Sequence, residues 1–138
     1  MKRLLKILLL VVPFFFVNCN NKTTENSVVI TNGIPQISFE HDTHNFGNIM
    51  QGEKVAHIFR YKNIGNAPLL VREVTTSCGC TAPKYSTEPL NPGCEGEIEV
   101  VFDSYGRTGK QLKTVSVWTN CSEKPISLRI FTNIEVKN

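Results

Sequence analysis

Two cysteines separated by a single glycine, Cys78 and Cys80, are the residues of this chain best placed for chemistry. In an extended strand, residues two positions apart point to the same side, so both sulfurs could face one partner. Two thiolates on one face could hold Cu(I) or Zn(II), with His57 or His44 as a further ligand. The pair could equally act as a redox dithiol, or form a structural disulfide in an oxidising compartment. The spacing alone therefore leaves three kinds of chemistry open.

The structural interpretation is the one that the surrounding sequence favours. Zinc sites usually have wider ligand spacing and four protein ligands, and the common redox motif is Cys-x-x-Cys at the start of a helix. Here the spacing is one residue shorter, and no helical periodicity follows Cys80. His57 shares an alternating face with Val55 and Phe59, where a histidine is more often a packed core residue than a ligand. We therefore predict no resident cofactor, and copper or zinc remain the metals that Cys78, Cys80 and His57 would suit.

Cys94 and Cys121 form a second candidate pair. Cys94 precedes a predicted strand at 97–103, and Cys121 follows a predicted strand at 114–119. If the loop between these two strands is a hairpin, both cysteines fall at the same end of the domain. We predict a Cys94–Cys121 disulfide on this basis, provided that the two Cα atoms lie within about 7 Å. Such a bridge would stabilise the domain by about 2–4 kcal/mol.

The elements that must position these residues are strands. Apolar and polar residues alternate with a period of two through 55–62 and 97–103, whereas no segment of useful length has the 3.6-residue period of an amphipathic helix. Turns containing Gly, Asn or Pro separate the alternating segments. About seven short strands in about 100 residues predict an all-β, antiparallel β-sandwich. Trp118 and Tyr105 are aromatic residues that could anchor a partner on its surface.

The first 18 residues predict export from the cytoplasm. Lys2, Arg3 and Lys6 accompany an apolar run, and polar residues follow it, as in a secretory signal. Cys19 stands where a bacterial lipoprotein signal places its modified cysteine, and that resemblance implies cleavage before Cys19 and lipid on its thiol. Asn20 takes the place where an aspartate would argue for inner-membrane retention. We therefore predict a cell-envelope protein, lipid-anchored to the outer membrane on its periplasmic or surface face.

The rest of the chain divides into a tether and one domain. Residues 19–34 are mostly polar and predict a flexible tether, and residues 35–138 supply the folded domain. Of the 15 basic residues, three lie in the predicted signal, which leaves 12 basic residues against 12 acidic ones. A balanced domain without a Lys/Arg cluster argues against nucleic acid as a partner.

Motifs of common catalytic sites are missing from the sequence. It has no Gly-x-Ser-x-Gly, no His-Glu-x-x-His and no glycine-rich loop of the kind that cradles phosphate. The sequence therefore predicts that the protein is not an enzyme.

Several ordered motifs resemble one bacterial family, the domain of unknown function 1573. The resemblance covers about residues 37–136 and implies an immunoglobulin-like fold, related to modules that bind other proteins in larger assemblies. Members often carry a signal or are lipoproteins, and no activity is established for the family. Cys94 and Cys121 lie outside the recognised motifs. The motifs are Phe46-Gly47-Asn48-Ile49, Gly52-Glu53-Lys54-Val55, Phe59 to Leu69, Ser77-Cys78-Gly79-Cys80-Thr81, Asn91-Pro92-Gly93 and Gly96-Glu97-Ile98.

Together these observations predict a non-catalytic cell-envelope lipoprotein that acts as a protein-binding or structural module. Its partners would be an unknown envelope protein and the membrane, the latter through the lipid on Cys19. The exposed edge strands of a sandwich offer one mode of binding, by strand addition. The alternative is a periplasmic copper-binding or thiol-redox protein that uses Cys78 and Cys80.

Overall fold

The computed structural model describes residues 33–137, which form eight strands in two packed sheets. The predicted signal at 1–18, the lipidation at Cys19 and most of the predicted tether lie outside these residues. Among the described residues, no helix is long and apolar enough to cross a membrane. The strands are β1 (Ile37–Phe39), β2 (Thr43–Met50), β3 (Lys54–Asn63), β4 (Val71–Thr76), β5 (Thr81–Tyr85), β6 (Glu95–Asp103), β7 (Gly109–Thr119) and β8 (Ile126–Glu135).

The first sheet has the order β1-β3-β6-β5, and the second has the order β2-β8-β7-β4. This arrangement confirms the predicted all-β sandwich. One pairing departs from the prediction, because β2 runs parallel to β8 while the other five pairings are antiparallel. The chain leaves the first sheet after β1 and enters the second as β2, so the two edge strands are successive pieces of one segment.

Two strands come from segments without clean alternation. The register of β2 against β8 shifts between Asn45 and Asn48, where Gly47 adopts a φ of +71°. A bulge of this kind adds a residue to one strand and breaks the period of two. The edge strand β5 contains Pro83, which lacks the N–H that a central strand would need.

The core lies between the sheets and consists of the inward residues of the alternating strands. Val100, Phe102 and Val117 are each 0% exposed. A fully buried side chain of this size contributes about 1.5–3 kcal/mol relative to leaving it in water. The clustered core residues are Ile49, Phe59, Tyr61, Leu69, Val71, Val74, Ile98, Val100, Phe102, Val115, Val117, Leu128, Ile130 and Ile134.

Asn63 is a buried polar residue at the end of β3. Its Nδ2 donates to the carbonyls of Ala67 at 2.8 Å and Leu90 at 2.9 Å, and its Oδ1 accepts from the N–H of Gly65 at 3.0 Å. Since the residue is 0% exposed, these three bonds replace the water that its amide has lost. Asn63 thereby fixes the turn that leads from the first sheet to the second.

Candidate functional site

Cys78 and Cys80 form a disulfide in the loop between β4 and β5, with their Cα atoms 5.3 Å apart. This loop carries the chain from the edge of the second sheet to the edge of the first. The bond closes a ring of only three residues. In the chain-entropy model such a ring contributes about 1.6 kcal/mol, compared with about 3 kcal/mol for a 15-residue loop. The disulfide is therefore a weak covalent constraint on the fold.

Hydrogen bonds hold the backbone on either side of the disulfide. The hydroxyl of Thr76 donates to the carbonyl of Cys78 at 2.9 Å and to that of Thr81 at 3.2 Å. The N–H of Asp103 donates to the carbonyl of Cys80 at 2.9 Å. The hydroxyl of Thr81, a residue only 4% exposed, lies 3.6 Å from Sγ of Cys78 and 3.8 Å from Sγ of Cys80. The buried hydroxyl of Thr81 is therefore close to both sulfurs.

The structure does not assemble Cys78, Cys80 and His57 into a metal site. No group of three or more His, Cys, Asp or Glu residues with metal-binding geometry occurs in the part of the chain that the structure describes. His57 lies on β3, whereas the cysteines precede β5, and β6 separates these two strands. Two strand spacings amount to about 9.6 Å. The expectation that His57 shares a site with the two sulfurs is therefore wrong.

His57 instead stacks on His44, which reaches it from the opposite sheet. The ring centroids are 3.6 Å apart and the planes differ by 7°. The rings of Phe46 and His44 form a T-shaped pair with centroids 4.5 Å apart, and the rings of Phe59 and His57 form another with centroids 4.7 Å apart. Burial lowers the pKa of both imidazoles, and the nearby His44 and His41 lower that of His57 further. The interpretation of His57 as a packed residue agrees with this cluster of four rings.

The stack was not predicted from the sequence. The sequence offered His44 only as a possible metal ligand, whereas the structure places it within β2, packed on His57. The alternation of His44 with Phe46 is the signal that could have revealed an inward-facing histidine, although the bulge that follows interrupts the pattern.

The predicted Cys94–Cys121 disulfide is wrong, because Cys121 has a free thiol. The prediction required β6 and β7 to form a hairpin, but β6 belongs to the first sheet and β7 to the second. Packed sheets lie about 10 Å apart, beyond the Cα separation of about 7 Å that a disulfide allows. The loop between the strands crosses the sandwich, and there the buried hydroxyl of Ser104 donates to the carbonyls of Met50 and Glu53.

The outer face of the first sheet is a ladder of ion pairs. Four pairs join neighbouring strands in the described part of the chain, and each partner is partly exposed. Exposed pairs of this kind contribute about 0–1 kcal/mol each, so their main effect is to satisfy the charges of this face. The pairs are Lys54–Asp103 at 3.1 Å, Arg60–Glu97 at 3.0 Å, Lys62–Glu95 at 3.6 Å and Lys84–Glu99 at 2.9 Å.

The outer face of the second sheet has a different composition. Phe131 of β8 lies in register with Leu112 of β7 and with Asn45 of β2, and Leu112 is 55% exposed. Trp118 also points outward, since it alternates with the buried Val117 and Thr119. None of the four ion pairs named above lies on this face. Its central row thus presents aromatic and aliphatic surface beside amides.

A shallow cleft opens on this outer face of the second sheet. It has a volume of about 240 Å³, and Phe131 and the bulge at Gly47 line it together with Asn45, Asn48 and Asn133. A Cβ added at Gly47 would meet no atom within 4 Å, so the bulge leaves the cleft open. The other predicted anchor, Tyr105, is 83% exposed in the loop after β6, away from this cleft.

Comparison with known proteins gives one family match and several structural likenesses. A family model described as "Protein of unknown function (DUF1573)" matches residues 37–134. No curated protein matches the sequence. A protein of unknown function from Porphyromonas gingivalis W83 superposes with a TM-score of 0.60 at 16% identity, over 73% of this chain and 46% of that one. The chain thus spans less than half of the length of that protein.

Two further structures have related folds. The ASH / PapD-like domain of human CEP192 has a TM-score of 0.59 at 8% identity, and the match covers 86% of this chain and 99% of the domain. The VesB protease of Vibrio cholerae has a TM-score of 0.56 at 20% identity, over 71% of this chain but only 32% of the protease. At these identities the likenesses show a shared immunoglobulin-like and PapD-like sandwich and carry no activity across.

Proposed function

The chain belongs to the family of proteins of unknown function DUF1573, and from this premise we propose that it is a non-catalytic, lipid-anchored module of the cell envelope that binds a protein partner. The binding surface in this proposal is the outer face of the second sheet, around Phe131, Leu112 and Trp118. A structural role within an envelope assembly would use the same surface.

The main support for the proposal is the difference in residue composition between the outer faces of the two sheets. Protein interfaces are enriched in aromatic residues and Arg at their centres and depleted in Lys and Glu. The face of the first sheet is built from Lys and Glu that already neutralise each other. The face of the second sheet has Phe131 and Leu112 in its central row, with Arg129 two positions before Phe131 on the same strand. The central row of the second face is therefore closer in composition to an interface than the first face is, with Lys110 at the border of the cleft.

The cleft beside Phe131 supplies a place for an anchoring side chain. Hot spots of interfaces are well-packed pockets that exclude water around one large residue. A volume of about 240 Å³ accommodates one such side chain. The Nδ2 of Asn45 and the Oδ1 of Asn133 make no hydrogen bond within the described residues, so they are available to a partner.

The N-terminal sequence supports the membrane part of the proposal. A basic and apolar segment precedes Cys19, and the polar residues up to about 34 could hold the domain clear of the lipid surface. Metabolic labelling with a palmitate analogue tests it, since the label should be incorporated into the wild-type protein and lost in Cys19→Ala. Label that persists in Cys19→Ala would contradict the anchor without bearing on the binding face.

Site-specific photocrosslinking in the native cell tests the binding face. A photoreactive phenylalanine analogue at Leu112 should give one discrete adduct, and the same analogue at Ile58 should give none. Ile58 is a matched control because it is 41% exposed, lies on the outer face of the first sheet and is also an aliphatic residue. The adduct should disappear when Phe131→Ser is added to the Leu112 variant. Equal adducts from both positions, or an adduct insensitive to Phe131→Ser, would refute the proposal.

A further inference from the structure

We propose that the Cys78–Cys80 disulfide is an exchange site, which accepts two electrons from the dithiol of a second protein. This activity is separate from the proposed binding face and does not depend on it. The two sulfurs have surroundings that suit exchange: the bond constrains little of the fold, one side of it is open, and the hydroxyl of Thr81 lies near both sulfurs.

The fold does not depend on the bond. A bridge across three residues restricts the unfolded chain far less than a long-range bridge does. Hydrogen bonds from Thr76 and from the N–H of Asp103 hold the loop carbonyls on both sides of the bridge. Ser77 is also fixed to β7, because its N–H donates to the carbonyl of Thr114 at 3.0 Å and its hydroxyl accepts from the N–H of Thr114 at 3.1 Å. The loop therefore keeps its anchors when the sulfurs are reduced.

One side of the disulfide is open to a protein partner. Gly79 is exposed, and a Cβ placed on it would meet no atom within 4 Å. The two sulfurs differ in their surroundings, because Cys80 packs against the hydrophobic core and Cys78 does not. An incoming thiolate therefore reaches Sγ of Cys78, and Sγ of Cys80 becomes the leaving group.

The exchange then proceeds in two balanced steps. The partner's first thiolate attacks Sγ of Cys78, the S–S bond breaks, and its electron pair leaves on Sγ of Cys80 as a thiolate. The partner's second thiolate attacks its own sulfur in the mixed disulfide and releases Cys78 as a thiolate. Water supplies the protons that these two thiolates take up. The partner ends as a disulfide and this domain as a dithiol, so two electrons have moved.

Thr81 is the positioning residue for this exchange. Its hydroxyl lies 3.8 Å from Sγ of Cys80 and 3.6 Å from Sγ of Cys78, so it can donate a hydrogen bond to whichever sulfur carries the charge. A better-stabilised leaving thiolate speeds the exchange. Loss of one hydrogen bond to a charged group corresponds to a rate decrease of about tenfold or more.

Timed reduction of the full-length protein tests the proposal. The background variant is Cys121→Ser, which removes the free thiol found among residues 33–137. The folded protein is treated with dithiothreitol at pH 7.5, quenched with an alkylating reagent at intervals, and mapped by peptide mass spectrometry. We expect Cys78 and Cys80 to become alkylated together, while the urea midpoint falls by no more than about 1.6 M, the shift that a bond worth about 1.6 kcal/mol gives at a slope of about 1 kcal/mol per molar urea. Oxidised glutathione is added to the Cys80→Ser variant, where the Cys78 thiolate attacks the glutathione disulfide and releases one glutathione thiolate. We expect a mixed disulfide on Cys78 in the folded protein, and its absence would contradict an accessible Sγ of Cys78.

The role of Thr81 has its own matched pair of variants. Thr81→Val keeps the shape of the side chain and loses the hydroxyl, and Thr81→Ser keeps the hydroxyl. We expect Thr81→Val to slow reduction about tenfold and Thr81→Ser to stay within about twofold of the parent rate. Alkylation that occurs only in denaturant, unfolding on reduction, or equal rates for both Thr81 variants would overturn the proposal.

Discussion

The stacked pair of His44 and His57 predicts that the domain loses stability in mild acid. Burial holds the pKa of both rings below the ordinary value, and in His57 the neighbouring His44 and His41 add to the effect. Below about pH 6.5 the unfolded chain therefore binds more protons than the folded chain, and the free energy of unfolding falls as the pH falls. This stabilising contribution is complete above about pH 6.5 and is lost as the pH falls toward the lowered pKa values.

The geometry of the pair sets the size of the effect. Each ring can change the free energy of unfolding by at most about 1.4 kcal/mol per pH unit. If both rings were protonated 3.6 Å apart, their charges would repel by about 1 kcal/mol in bulk water and by about 4.6 kcal/mol at an effective dielectric constant of 20. Because both rings are partly exposed, solvent reduces these values, and we expect a loss of about 1–2 kcal/mol between pH 7.5 and 5.5.

Urea denaturation at pH 7.5, 6.5 and 5.5 measures this loss. With a slope of about 1–3 kcal/mol per molar urea, the midpoint should fall by about 0.3–2 M over this range. His57→Gln should remove most of the pH dependence, whereas His41→Gln should keep it, since His41 is exposed and makes no ring contact among the described residues. A midpoint that does not change with pH, or an unchanged pH dependence in His57→Gln, would refute the reasoning.

Other parts of the structure predict further outcomes. Asn63→Ala should destabilise the domain by about 3 kcal/mol or more in urea denaturation. The reason is that the backbone groups bonded to the buried amide, those of Ala67, Leu90 and Gly65, would lose their hydrogen bonds. Gly96→Ala should cost about 1–3 kcal/mol, since its Cβ would overlap the ring of Tyr61, whereas Gly79→Ala should stay within about 0.5 kcal/mol in the same assay. The backbone N–H of Tyr105 and the side chain of Lys54 lower the pKa of Asp103. Stability linked to that carboxylate is present above about pH 4 and lost below it, so Asp103→Asn should flatten the acid limb of a plot of unfolding midpoint against pH.

Controls distinguish these effects from general damage. An Asn63→Ala protein as stable as the parent would mean that water replaces the amide. If Gly79→Ala destabilised the protein as much as Gly96→Ala does, the space around the Cα of Gly79 would not be open. An acid limb that is the same in Asp103→Asn and the parent would assign acid sensitivity to other carboxylates.

Much of the fold could be predicted from the sequence because its signal is local. Alternation along β3, β6 and β8 identifies these strands and their inward residues, Val55 and Phe59 among them, since side chains of a strand alternate between its faces. The two strands without that signal contain a bulge at Asn45–Asn48 and a proline at 83. The same alternation places Glu97 and Glu99 of β6 on its outer face, where they pair with Arg60 and Lys84.

The candidate site was predicted only in part. The neighbouring Cys78 and Cys80 could be singled out as a pair from spacing alone, and the disulfide agrees with the structural interpretation. Their separation from His57 and the free thiol of Cys121 could not be predicted, because both depend on which strands are neighbours. Alternation identifies which side of a strand faces inward, but gives no information about the sheet that contains the strand.

The sequence by itself thus determined the alternating strands and the family resemblance, and it singled out Cys78 and Cys80 without deciding among a disulfide, a redox dithiol and a metal site. These depend on contacts between residues close in the chain or on motifs read directly from it. Only the tertiary structure decided that β6 and β7 lie in different sheets, that His44 meets His57 across the sandwich, and that one outer face is neutralised while the other presents Phe131. All three depend on which strands, distant in sequence, become neighbours around one core. The packing of the whole domain sets that arrangement.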